Sequence, residues 1–169
     1  MKVSKLAIIA VLGVISYGAT AATGNNGKIT FNGEVVDSPC NLAPGQDGMD
    51  VKVPFGQLSL SQLNANVVTA KKFQIHLENC NLTGKTADIT FASTDLLSGK
   101  NLLTTHGAAT GLGIAISGII FGTAKPIIGM NPTGDNILTY TAEAKKADTA
   151  TNVTVGNFEA TTNFVIAYK

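Results

Sequence analysis

Five stretches of this chain alternate apolar and polar residues with a period of two, a pattern that strands satisfy and helices do not. In Lys28–Val36, Ile29, Phe31, Gly33 and Val35 fall on one side, and Lys28, Thr30, Asn32 and Glu34 on the other. Phe73, Ile75 and Leu77 alternate with Lys72, Gln74, His76 and Glu78, and that run stops at Cys80. Ala87, Ile89 and Phe91 alternate with Asp88 and Thr90, and Leu138, Tyr140 and Ala142 with Thr139, Thr141 and Glu143. Near the end of the chain, Phe158, Ala160, Thr162, Phe164, Ile166 and Tyr168 share one parity. Leu112–Ser117 reads as a strand buried on both faces, with Ile119–Phe121 continuing it after Gly118.

Turn chemistry separates these runs: Ala43–Gly48, Asn81–Gly84 and Asn131–Asp135 are rich in Gly, Pro, Asn and Asp. Val51–Val68 is less clear, and Ser59–Leu63 reads as one helical turn. Eighteen glycines and no tryptophan suit a turn-rich β protein, and 169 residues are enough for one sizeable core. No internal repeat, low-complexity tract or interdomain linker interrupts the chain. Short strands between such turns predict an all-β Greek-key sandwich.

The N-terminus has a different character. Lys2 and Lys5 precede the apolar run Leu6–Ile15, and Ala19-Thr20-Ala21 fits a small-residue cleavage site. A spanning helix needs about 20 apolar residues, so this run is too short for an anchor. Residues 1–21 therefore read as a signal peptide, 22–36 as an arm and 37–169 as the domain, and the product as exported, with no stable membrane span. Without Lys2 and Lys5, ten lysines face eleven acids, and there is no arginine. A basic face for nucleic acid is missing. In an oxidising compartment, the two cysteines most simply form one bridge, Cys40–Cys80.

The arm leaves a choice open. Residues 22–28 are small and polar, leading into the alternating segment from Ile29. The segment is either the first strand of the sheet or a strand offered to another molecule, and the pattern alone does not choose. Candidate chemistry is thin elsewhere. His76 lies on the polar parity of its strand, and His106 sits in a loop without an evident partner. No nucleophile motif accompanies them, so no catalytic residue is assigned. Gly107–Gly113 lacks the Lys-Ser/Thr of a phosphate loop, and no metal site or cofactor is expected. Asn81-Leu-Thr83 and Asn152-Val-Thr154 match the glycosylation pattern, and Lys71-Lys72 and Lys145-Lys146 read as solvated surface.

Gly27-Lys-Ile-Thr-Phe-Asn-Gly-Glu-Val-Val-Asp-Ser-Pro-Cys40 resembles the start of chaperone–usher pilins, the subunits of type 1 and P pili. Val53-Pro-Phe-Gly-Gln-Leu58 and Phe73-Gln-Ile-His-Leu-Glu-Asn-Cys80 resemble later family segments. Phe164, Ile166 and penultimate Tyr168 fit the family's closing strand, and Gly156 stands where such pilins commonly place a glycine. Residues 93–135 match only in general pattern.

The resemblance implies an incomplete immunoglobulin-like Greek-key sandwich lacking its last strand and completed by donor-strand complementation, a recognised form of β-strand addition. Ile29, Phe31, Gly33 and Val35 would be the donor strand. Gly33 would meet a shallow part of the groove, a bulge or turn glycine after Asn32 being the other reading. Gly156, Phe158, Phe164, Ile166, Tyr168 and Lys169 would belong to the terminal strand that flanks the groove and meets a chaperone. The implied partners are neighbouring pilin subunits, a periplasmic chaperone and an outer-membrane usher, and the implied place is a fimbrium on the bacterial surface that supports adhesion. Alternatives are a minor or tip-associated subunit or adhesin, and a secreted sandwich enzyme or ligand-binding module. The leader reading predicts that exported protein begins at Ala22. Its intact mass checks this, and a retained Met1 would contradict it.

Overall fold

The computed structural model describes residues 27–33 and 35–169, so the signal peptide and residues 22–26 of the arm lie outside the described residues. The chain divides into two units, one ending at Val35 and one running from Val36 to Lys169. In the first unit, the described residues carry no regular secondary structure. Ile29, Phe31 and Val35 are exposed there, Phe31 by 90%. Their period-two pattern is not expressed as a ladder among the described residues.

The second unit is an antiparallel sandwich. One sheet has the order β1 (Asn41–Leu42), β2 (Thr69–Asn81), β8 (Thr133–Lys146), β6 (Leu112–Ile116) and β4 (Leu103–Thr104). The other has the order β10 (Asn163–Tyr168), β3 (Ala87–Ala92) and β7 (Lys125–Ile127). A short pairing joins β5 (His106–Gly107) to β9 (Phe158–Glu159). The only helix among the described residues longer than one 3-10 turn is α1 (Leu60–Asn64), close to the turn expected at Ser59–Leu63.

The alternating residues set the core. Ile75 and Leu77 of β2, Ile89 and Phe91 of β3, and Leu138 and Ala142 of β8 are buried. Phe91 joins the two sheets, its ring centroid 6.4 Å from Phe73 and 5.1 Å, edge-on, from Tyr140. Such offset and edge contacts contribute about 0.5–1.5 kcal/mol each beyond the area they bury. The β2–β8 ladder runs from Thr69↔Ala144 to Asn81↔Thr133, longer than the alternation alone marks. Between Leu77 and Cys80 the register shifts, with Asn79 at φ 53° and its N–H donating to Asp135 Oδ1 at 3.0 Å. That irregularity turns Cys80, which is off the parity of Ile75 and Leu77, onto the core side.

Ile119–Phe121 does not continue β6. The chain turns at Ser117-Gly118, with Gly118 at φ 69°, yet Ile119 and Phe121 are still buried. Turn bonds, such as the Ile119 N–H to the Ile116 carbonyl at 3.0 Å, and one side chain hold their backbone instead of a ladder: Asn101 Nδ2 donates to the Ile119 carbonyl at 2.6 Å, and the Phe121 N–H donates to Asn101 Oδ1 at 2.9 Å. An apolar run records burial, and the asparagine supplied the pairing a strand would have given.

Cys40 and Cys80 are joined by a disulfide and both are buried. The bridge ties the segment entering β1 to the end of β2, closing a loop of 40 residues. Replacing both cysteines by serine should lower unfolding stability by about 2–4 kcal/mol. Urea unfolding of the wild type and the double variant measures this, and equal midpoints would contradict it.

Candidate functional site

Alternation in Phe158–Tyr168 survives in the structure even though the hydrogen bonding changes partner. Phe158, Ala160, Thr162, Phe164, Ile166 and Tyr168 are all half-buried, and the residues between them are exposed. The first part pairs with β5, the chain then crosses at 160–162, and β10 pairs with β3 from Asn163↔Ala92 to Tyr168↔Ala87. Lys169 and Thr86 exchange two further backbone bonds, Thr86 N–H to Lys169 O at 3.0 Å and Lys169 N–H to Thr86 O at 2.9 Å. The Lys169 ammonium also pairs with Asp88.

Because β10 ends its sheet, its other side has no ladder partner among the described residues. Val51–Leu58 makes no backbone hydrogen bond among the described residues, yet Val51, Val53 and Phe55 are half-buried while Lys52, Pro54 and Gly56 are exposed. This is strand-like burial without strand-like pairing. Between the two segments lies a groove of about 590 Å³. Phe158–Phe164 form one wall and Met49–Val53 with Phe55 the other, and Ile75, Phe91, Ile114 and Ile116 line it from the core. Phe55 and Phe158 approach each other to 6.0 Å between ring centroids. Core side chains thus face a space that no described strand covers.

The residues predicted for the terminal strand take different positions. Phe158 and Phe164 line the groove, whereas Ile166 and Tyr168 pack against the core. Burial pushes the Tyr168 phenol up, and a hydrogen bond with Ser38 opposes that shift. Tyr140 is likewise pushed up by burial. Gly156 precedes β9 at φ 150°, and a Cβ there would lie 2.4 Å from the Ala109 backbone nitrogen and 2.5 Å from the Ala108 carbonyl carbon. Close approach of two backbones explains this glycine.

His106 is not alone in a loop, because β5 pairs it with Glu159 and its Nε2 meets the Asp95 carboxylate. Hydrogen bonds from His106 and then Thr104 hold the Asp95 carboxyl below its ordinary value. The contribution of that carboxylate is therefore present above the ordinary carboxylate range and lost as pH falls through the lowered value. The partner lies 11 residues away, across a connection that period-two reasoning does not register. His76 sits on its expected parity, half-buried, with Nε2 3.3 Å from Gln74 Oε1. Lys145 pairs with Glu143 at 3.4 Å, and Lys146 donates to the Thr149 carbonyl and Asn152 Oδ1, both at 3.1 Å. Among the described residues, no three His, Cys, Asp or Glu side chains converge as metal ligands, and no helix is long and apolar enough to cross a membrane.

A sandwich with an open groove beside its C-terminal strand and a buried Cys40–Cys80 bridge is the architecture of a chaperone–usher pilin. The family model for fimbrial proteins matches residues 29–169, and the chain belongs to that family as a structural fimbrial subunit. It is 34% identical to the fimbria A protein of Serratia marcescens, covering 100% of both chains. It is also 34% identical to the PRS fimbrial major pilin protein of Escherichia coli, covering 90% of this chain and 100% of that one. Among solved structures, a chaperone–usher pilus studied for rod uncoiling matches with TM-score 0.75 and 32% identity, over 89% of this chain and 100% of that one. The P pilus rod subunit PapA matches with TM-score 0.62 and 29% identity, over 78% and 100%. The fold is accordingly immunoglobulin-like, and the relatives imply export to a surface fimbrium.

Gly156→Ala should destabilise the domain by about 1–3 kcal/mol, since alanine meets both a strained φ and a backbone wall. Gly27→Ala, at a position where a Cβ meets nothing within 4 Å, is the control. Thermal unfolding of the two variants should separate them, and equal melting temperatures would remove the close-approach argument.

Proposed function

We propose that this protein is the main shaft subunit of its fimbria and polymerises by donor-strand exchange, residues 22–36 of one copy filling the groove of the next. The observation that carries this reading is the groove, a gap with a core floor between Met49–Val53 with Phe55 on one side and Phe158–Phe164 on the other, beside the side of β10 that has no ladder partner among the described residues. An uncovered edge beside exposed core is an aggregation hazard unless another strand covers it.

The arm suits the gap in length and parity. The groove wall is seven consecutive residues, Phe158–Phe164, and the apolar parity of the arm spans seven, Ile29–Val35. An antiparallel arm would place Val35 beside Phe158 and Ile29 beside Phe164. Burying Ile29, Phe31 and Val35 stabilises the junction by about 1.5–3 kcal/mol each, before ordering costs. Gly33 would lie beside Ala160 in this register, where the resemblance implies a shallow part of the groove. Before assembly a periplasmic chaperone lends the strand, and an outer-membrane usher is where the exchange takes place. Relatives described as major pilins and as a rod subunit support the shaft over the tip. The role is structural and not enzymatic, and adhesion follows from the fibre.

Two variants and one fusion test this. Phe31→Asp should stop polymerisation, because a carboxylate is not desolvated cheaply in an apolar groove. The domain should still fold with its chaperone. Deleting the arm and attaching residues 23–36 after Lys169 through a turn-forming linker should give a stable monomer that does not polymerise, since an attached strand acts at an effective concentration of about millimolar. If this fusion unfolds at the same temperature as the arm-deleted domain, the groove is not a strand site.

A further inference from the structure

Asn32 and Gly33 stand together in the exposed part of the arm, outside any regular secondary structure. A Cβ built on Gly33 would meet nothing within 4 Å. Glycine permits wide backbone freedom, so the following amide nitrogen can reach the asparagine side chain without steric hindrance. A nucleophile and an electrophile held in one five-membered geometry react as an intramolecular pair.

We propose that Asn32-Gly33 is a self-modification site that inactivates subunits left unassembled. The Gly33 backbone nitrogen attacks Cγ of Asn32 and a new N–Cγ bond forms. The bond from Cγ to the side-chain nitrogen breaks, and ammonia leaves with the proton lost from the Gly33 amide. Water then opens the resulting succinimide. Attack at Cγ yields aspartate, and attack at the former backbone carbonyl yields isoaspartate, in which the chain runs through Cβ and Cγ. No oxidant, reductant or cofactor enters the balance.

Asp47-Gly48, which follows Asn26-Gly27 and Asn32-Gly33 along the chain, provides a contrast among the described residues. Gly48, after Asp47, lies in a packed turn, where its N–H donates to the Gly45 carbonyl at 3.4 Å and a Cβ would lie 2.5 Å from the Ala43 carbonyl oxygen. Its backbone is not free to rotate into an attacking position. Openness at Gly33 is what differs.

The consequence for assembly rests on the donor-strand reading. Isoaspartate adds one backbone atom between residues 32 and 33. A strand faces its side chains alternately, so the extra atom puts Ile29 and Phe31 out of step with Gly33 and Val35. All four then cannot enter one groove together. Once the arm is paired in a ladder, the backbone is held extended and the Gly33 amide is engaged, which suppresses the attack.

The test compares mature full-length subunit kept unassembled with subunit in fibres, both aged in mildly alkaline buffer. After reduction, cleavage behind Lys28 and Lys52 isolates residues 29–52, separating Asn32 from Asn26. In the unassembled chain, that peptide should gain isoaspartate in step with loss of polymerisation competence. Fibre-held subunits should gain it at least about tenfold more slowly, because each opening of a paired strand costs free energy. Asn32→Gln and Asn32→Ser subunits should keep their competence on ageing. No isoaspartate in the unassembled peptide overturns the proposal, as does modification without loss of competence. Equal rates in fibres and free subunits would instead show that the arm is not held as a strand, which is a failure of the donor-strand reading.

Discussion

The long β2–β8 ladder is the constraint on which the rest of this domain depends. Its inner face supplies Phe73, Ile75, Leu77, Leu138 and Tyr140, and the facing sheet has only to present Ile89 and Phe91 against them. The irregularity after Leu77 carries Cys80 inward to meet Cys40, so the ladder also fixes the segment that enters β1.

Against that frame, one strand position stays unfilled. Backbone polar groups are paired along β2, β3, β6 and β8, whereas among the described residues Val51–Leu58 and the free side of β10 have no ladder partner. Such a defect is tolerable in a protein whose surface is completed by another chain, and costly in one that must remain alone. Ile29, Phe31 and Val35 are exposed among the described residues, and under the proposed donor-strand exchange the groove of the next copy buries them.

Much of this was legible in the residues. Period-two alternation marked β2, β3, β8 and the C-terminal segment, and their buried parities were those expected, because side-chain direction in a strand follows from local geometry alone. The export signal and the two cysteines led to the bridge before any distance was known. Alternation also placed Phe158–Tyr168 on one parity throughout, which the structure retains across a change of partner.

Tertiary structure decided the pairing. Nothing local in Phe158–Tyr168 says that its first residues bond to β5 and its last to β3, or that Ile119–Phe121 is buried by a turn pinned on Asn101. Gly156 is marked in sequence only by its family-like position, while the Ala108–Ala109 backbone that requires it lies across the fold. His106 found Asp95 in the same way. The groove itself is a property of two segments far apart in the chain, and an absent strand leaves no mark on the sequence of the walls beside it. Local alternation fixes which side chains turn inward; only the arrangement of the sheets decides which of them are left uncovered.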